Sequence, residues 1–268
     1  MKHNPWVRRL IIVAIVFVSG WVVDPDRIEA QPAFPQPQKG LLRVGVTSNY
    51  PPVIFKMNGK ITGLEADFAV LLGRALNRDI QFVELTWDEQ LQALMEGKTD
   101  IVMSGMSITE ARKVRVNFSD PYLKSGLIAM MRTGDAPRYD SVKKILESIA
   151  TVGVVKGTTG EVFVRNRFRN TTTIIAMREP WEAPGLLNNR RIDLFVHDAP
   201  SVVWLASENE ATLKVLLEPM NEEYLGWAVR RDDSFLLNAV NAALAGWKKE
   251  GTVTQVIKRW LPYWKQFE

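Results

Sequence analysis

The 268-residue chain contains no cysteine and two histidines. That count excludes a disulfide framework, a thiol nucleophile and the cysteine or multi-histidine sites that usually hold zinc. No metal or cofactor motif replaces them. There is also no run of Lys and Arg interleaved with aromatics: 34 basic against 30 acidic residues leave a net charge of +4. A nucleic-acid partner is therefore not expected. With 46% hydrophobic and 24% charged residues the composition is globular, which excludes a fibrous or wholly disordered chain. The length suits one large domain or two lobes, with no internal repeat beyond two similar halves.

The first thirty residues differ in kind from the rest. Lys2, Arg8 and Arg9 precede an apolar run from Leu10 to Val23, and a polar stretch then ends in Ile28-Glu29-Ala30. A basic start, an apolar run and a small-residue terminus read as an export signal over 1–30. The run is short of the roughly 20 apolar residues a membrane span needs. With Trp6 and Val7 it could instead serve as an uncleaved anchor. The absence of cysteine rules out lipid attachment through that residue. Residues 31–40, QPAFPQPQKG, read as a flexible spacer.

From Leu41 onward short apolar runs alternate with amphipathic segments. Leu41–Val46, Ile80–Leu85 and Asp100–Met103 have strand patterns, Leu64–Leu76 and Trp87–Met95 have helical spacing, and Asn58-Gly59 marks a hairpin. The rhythm restarts after Tyr122 with strands at Thr151–Val155, Thr172–Ala176 and Ile192–Val196. Helices are expected from Thr159, over Trp181–Leu187 and over Ala199–Leu205. Strand–helix alternation predicts mostly parallel sheets, here two α/β lobes. A strand at Leu225–Val229 and helices at Ser234–Trp247 and Thr252–Trp260 close the chain, and their apolar faces need the first lobe to cover them. The expected organisation is lobe 1 over 41–124 and 220–268, with lobe 2 over 125–219.

Three places carry candidate chemistry. The segment Ser104 to Arg112 follows a strand, where α/β sheets bind ligands. A helix starting near Thr109 would aim free N–H groups at that space, and Arg112 could clamp a carboxylate. Local sequence alone favours the plainer alternative, an N-cap by Ser107 or Thr109 with Arg112 as a surface charge. Gly157-Thr158-Thr159-Gly160-Glu161 offers a second set of amides and hydroxyls, or simply a turn and a cap. It lacks the Lys-Ser/Thr pair of a P-loop. Asp198, at the end of a strand, could accept from a ligand ammonium or cap the next helix. Tyr50 and Trp87 could cover an apolar part of a ligand, although core packing is the ordinary role of such residues.

Together these residues resemble the family 3 extracellular solute-binding proteins, the polar amino-acid receptors of ABC importers. The resemblance spans about Leu41 to Trp260 and is carried by Tyr50-Pro51-Pro52, by NGKITGLEAD from Asn58 to Asp67, and by GMSITEARKVRVNFSDPY from Gly105 to Tyr122. It implies an α/β, two-lobed periplasmic-binding-protein fold of type II, with mostly parallel sheets and two crossing hinge strands. It also implies an exported periplasmic monomer that delivers an amino acid to the membrane subunits of an ABC transporter, without catalysis, metal or cofactor. By resemblance Arg112 meets the ligand α-carboxylate, helped by the backbone and hydroxyl of Ser107 and by Thr159. Asp198 and the Gly105 carbonyl meet the α-ammonium, and Tyr50 packs on the side chain.

Thr47 stands where cationic receptors tend to have Asp and glutamate-type receptors Arg, which implies an uncharged ligand side chain. Val53 and Gly160 replace bulkier family residues and imply a roomier pocket. Glu65 stands where Asp is frequent, which changes no charge. Two competing readings remain. One is a periplasmic enzyme like the cyclohexadienyl dehydratases, with Glu161 or His197 as proton donor, though the helix dipole disfavours a protonated Glu161. The other is a membrane-tethered ligand-sensing module.

Overall fold

The computed structural model describes residues 40–168 and 173–264. The export segment 1–30 and most of the spacer lie outside the described residues, and Gly40 already opens the first strand, Gly40–Val46. Among the described residues no helix is long and apolar enough to cross a membrane.

Two five-stranded sheets form the framework. In the first, Gly40–Val46 pairs in parallel with Arg78–Glu84 and with Ile101–Val102. In the second, Thr151–Val155 pairs in parallel with Thr173–Met177 and with Leu194–Asp198. These are the strands whose apolar runs announced them. Each sheet is completed by antiparallel strands: Ala228–Val229 and Asn117–Phe118 in the first, Leu127–Arg132 and Leu213–Leu216 in the second. Both sheets are therefore mixed; the antiparallel members of the first are two residues each, too brief to show a period, whereas Leu127–Arg132 and Leu213–Leu216 in the second are six and four residues long and were not among the expected strands.

Between the lobes runs a two-stranded antiparallel ribbon, Leu123–Ser125 against Glu223–Leu225. The single strand expected over Leu225–Val229 is thus two strands. The chain leaves the ribbon at Gly226 and Trp227, and Ala228–Val229 then enters the first sheet. The reason lies in Trp227, which is fully buried. Its backbone N–H donates to Ser119 Oγ at 3.0 Å, and its carbonyl accepts from Ser119 N at 2.8 Å. Asn58 and Gly59, both left-handed at φ 51° and 76°, make the hairpin turn between Ile54–Met57 and Lys60–Thr62.

Helix Leu64–Leu76 buries Leu64, Phe68, Ala69 and Leu72 against the first sheet. The closing helices, Ser234–Glu250 and Thr252–Trp260, pack on it. Phe68 stacks on Trp247 at 6.2 Å between centroids and meets Trp227 edge-on at 5.4 Å, while Trp260 Nε1 donates to Asp67 Oδ2 at 2.8 Å. The return of the chain's end to the first lobe is fixed by such contacts: Trp247 on Phe68, and Trp260 on Asp67 and edge-on against Phe55.

That helix also carries a buried charge. Glu65 is fully enclosed and accepts from Gly105 N at 2.6 Å and Trp227 Nε1 at 3.1 Å. Burial pushes its carboxyl up to about 7, against the pull of the Tyr122 hydroxyl and of these two donors. Trp227→Phe keeps an aromatic ring but removes the donor, leaving an underpaired buried acceptor at a cost of about 1–3 kcal/mol. The lost bond favours the ionised carboxylate, so the destabilisation is expected to be larger at pH 8 than at pH 5.5. Denaturant unfolding at the two pH values checks this; an equal loss at both would contradict the assignment.

Candidate functional site

A cavity of about 430 Å³ opens where the carboxyl ends of the two sheets face each other. All seven residues singled out from the sequence line it: Tyr50, Trp87, Gly105, Ser107 and Arg112 from one side, Thr159 and Asp198 from the other.

Arg112 sits in a helix of one turn, Glu110–Lys113. Thr109, not Ser107, is its cap, accepting from Arg112 N at 3.2 Å. The helix is a single turn, and two of its amides, Arg112 N and Lys113 N, are already given to Thr109. What remains is the guanidinium. Its Nη1 donates to the Ser107 carbonyl at 2.8 Å and its plane lies 5.3 Å from the Trp87 ring centre. No carboxylate among the described residues lies within ion-pair reach of it. Burial lowers its pKa, opposed by the fields of Asp198 and Glu223.

Asp198 ends strand Leu194–Asp198 and is 6% exposed. It occupies the capping position of helix Ala199–Ser207, yet its side chain makes no capping bond. Oδ2 accepts from Tyr50 OH at 3.0 Å, and Oδ1 is buried with no donor among the described residues. Burial pushes the carboxyl up to about 6, with Tyr50 and Arg112 pulling the other way. Tyr50 reaches this position because residue 105 is glycine. At φ 67° a Cβ there would stand 2.3 Å from Tyr50 Cε1.

Three hydrogen bonds cross the cavity from one sheet's side to the other. Besides Tyr50 to Asp198, Trp87 Nε1 donates to the Gly157 carbonyl at 3.1 Å, and Asn49 Nδ2 donates to Glu179. Trp87 is therefore a bridge as well as a wall. At the second helix start Thr158 is the cap, accepting from Glu161 N at 3.4 Å, while Glu161 accepts from Gly157 N at 2.8 Å. Glu161 is held below its ordinary range by that amide and by Arg165. His197 is buried and held neutral, pushed down to about 4 by desolvation. Its ring stacks on Tyr50 at 5.7 Å. Neither of the two proton donors considered from sequence is protonated near neutrality.

Sequence reasoning passed over several participants. Asn49, Asp88, Lys156, Arg178 and Glu179 also line the cavity. Arg178 and Glu179 lie just past strand Thr173–Met177, a strand-end position that could have revealed them. Glu223 had no such signal. It lies in the crossing ribbon and accepts from Ser107 Oγ at 2.6 Å, Thr159 Oγ1 at 3.0 Å and Asn221 Nδ2 at 2.8 Å. Both site hydroxyls are thus directed at this carboxylate. Thr47, expected to face the ligand side chain, lines the cavity with its Oγ1 accepting from Gln90 Nε2 at 2.8 Å.

Residues 42–263 match the family model of bacterial extracellular solute-binding proteins, family 3. The L-cystine-binding protein TcyJ of Escherichia coli K12 is 30% identical over 224 residues, 83% of either chain. Among solved structures, the ancestral amino acid-binding protein AncCDT-1, described as a precursor of cyclohexadienyl dehydratase, is 36% identical with a TM-score of 0.75. The match covers 82% of this chain and 95% of that one. An ancestral arginine-binding protein bound to glutamine is 34% identical with a TM-score of 0.75, covering 83% and 98%. The two mixed sheets, the crossing ribbon and the cavity between them are the two-lobed architecture of these binding proteins, and the chain belongs to the bacterial extracellular solute-binding proteins, family 3.

Proposed function

We propose that the chain is an exported, monomeric receptor that binds an α-amino acid between lobe 1, residues 41–124 and 220–268, and lobe 2, residues 125–219, and hands it to the membrane subunits of an ABC importer. The carrying observation is a pair of unmet charges on one cavity: the Arg112 guanidinium without a carboxylate and Asp198 Oδ1 without a donor. A buried charge is tolerable when paired and fully hydrogen-bonded, and a zwitterion supplies both partners at once. In this reading Arg112 takes the α-carboxylate, Asp198 and the Gly105 carbonyl take the ammonium, and Tyr50 and Trp87 cover the rest. Closure is completed by the hydrogen bonds that cross the cavity.

The ligand side chain carries no net charge. Thr47 is uncharged, and the outer wall sets Lys156 and Arg178 against Asp88 and Glu179, a balanced set of signs. Relatives named for cystine or bound to glutamine are compatible with such a wall. A dehydratase reading draws on the ancestral precursor among the structural neighbours, but the low pKa of Glu161 and of His197 leaves it without either expected acid.

A thermal-shift panel of residues 31–268 against the twenty amino acids, L-cystine and prephenate tests the reading. One or a few neutral amino acids are expected to raise the midpoint, and Arg112→Ala is expected to weaken that binding by on the order of 2–5 kcal/mol. Response to prephenate alone, or to nothing, would overturn it.

Asp198 should show a trade between stability and function. Its folded pKa of about 6 lies above the ordinary 3.8, so the folded state holds that proton more tightly. Ionisation therefore costs stability as pH rises through this window, on the order of 2–3 kcal/mol at about 1.4 kcal/mol per unit. Asp198→Asn is expected to raise the melting midpoint of the free protein at pH 8, with the advantage shrinking toward zero by pH 4. The same variant should no longer respond to amino acids. An advantage that grows on acidification would falsify this account.

A further inference from the structure

We propose that Glu223 is a positioning residue that fixes the hydrogen-bond polarity of Ser107 and Thr159, turning both hydroxyls into acceptors for the ligand's ammonium. The inference rests on the amino-acid reading above and changes one part of it, since the resemblance assigned both side chains to the carboxylate end.

A hydroxyl has one proton to give and two lone pairs to offer, whereas an ionised carboxylate can only accept. Ser107 Oγ and Thr159 Oγ1 both contact the same oxygen, Glu223 Oε2, at 2.6 and 3.0 Å. The other oxygen accepts from Asn221 Nδ2 at 2.8 Å, and Asn221 is held in that orientation because its Oδ1 accepts from Leu127 N at 2.7 Å. Asn221 Nδ2 gives its hydrogen to one oxygen and both hydroxyls stand within donating distance of the other, so an ionised Glu223 accepts from all three. Ser107 and Thr159 line the cavity and Glu223 stands behind them. With both protons committed away from the cavity, each hydroxyl turns only lone pairs toward the ligand. Lone pairs attract an ammonium and repel a carboxylate.

The placement also couples polarity to closure. Ser107 belongs to the loop beside the first sheet, Thr159 to the helix of the second, and Glu223 to the ribbon between them. The loop is zipped to that ribbon by Ile108 N donating to the Tyr224 carbonyl at 2.8 Å and Gly226 N to the Met106 carbonyl at 3.2 Å. Thr159 meets the same carboxylate oxygen only when the second lobe is in its observed position. The acceptor set is complete in the closed arrangement.

The test compares two ligands that differ only at the group in question. The strongest binder among the twenty amino acids and L-cystine is titrated calorimetrically beside its 2-hydroxy counterpart, in which a hydroxyl replaces the ammonium. Glu223→Ala, and Glu223→Met to keep the volume filled, are expected to weaken the amino acid about tenfold or more while changing the 2-hydroxy acid less than about threefold. In a Ser107→Ala/Thr159→Val background the same Glu223 substitutions should leave the preference unchanged, because the hydroxyls through which they act are gone. Should neither Glu223 variant fold, the Ser107→Ala/Thr159→Val protein alone is expected to lose the amino acid selectively. Parallel loss of both ligands, or a preference change that persists without the hydroxyls, would overturn the assignment. Failure of every amino acid to bind the unsubstituted protein would instead overturn the receptor reading beneath it.

Discussion

The Glu65 carboxylate is the point on which the site depends. It is enclosed in the first lobe with no cation beside it, and its charge is met by donors from the Gly105 backbone and the Trp227 indole. Acceptor and donors come from three distant parts of the chain: the helix Leu64–Leu76, the loop that follows strand Ile101–Val102, and the segment returning from the crossing ribbon. One buried acceptor thereby holds the Gly105 loop in the left-handed turn that lets Tyr50 lie flat on it. Tyr50 in turn presents its hydroxyl to Asp198. A buried carboxylate without donors would be expelled or protonated, so the same desolvation that makes Glu65 costly makes its partners obligatory.

The repeated use of carboxylates is a matter of polarity more than of charge pairing. Glu65, Asp198 and Glu223 are all buried and all pushed upward in pKa by desolvation, and none is neutralised by a salt bridge to Arg or Lys. Each collects protons from neutral groups: amide, indole, phenol, hydroxyl. The cavity lining sets the Asp198 carboxylate and the Arg112 guanidinium beside a second guanidinium, Arg178, and the charges of Lys156, Asp88 and Glu179. In the proposed reading, Arg112 and Asp198 stand at different places on that lining and give the two ends of a zwitterion distinct partners.

How much of this was legible depended on the length scale of each signal. The parallel strands and the long helices were readable because burial on both faces or on one stripe imposes a run or a period over five residues or more. Gly40–Val46, Thr151–Val155 and Leu64–Leu76 came out within a residue or two of their bounds. Two- and three-residue strands such as Asn117–Phe118 and Glu223–Leu225 carry no period, so the antiparallel members of the first sheet, the crossing ribbon and the break at Gly226-Trp227 were invisible, whereas the six-residue apolar run Leu127–Arg132 was simply passed over. The seven candidate residues that line the cavity could be picked out because each sits near a strand end or helix start, a position that has meaning in an α/β sheet. Glu223 was passed over, and Glu65 noted without a role, for a physical reason: a lone Glu in a helix or beside a strand is ordinarily a solvated charge, and only the three-dimensional fold removes its water.

The same reasoning explains why the sequence names the ligand's backbone and not its side chain. The zwitterion is recognised by formal charges, which residue identity reveals. The outer wall is recognised by balance: Lys156 and Arg178 come from the second lobe and Asp88 from the first, and they approach one another only because Trp87 reaches Gly157 and Asn49 reaches Glu179 across the cavity. Each of these groups taken singly would suggest a charged ligand of the opposite sign. Taken as a set they include both signs, so no one of them fixes the charge of a ligand side chain.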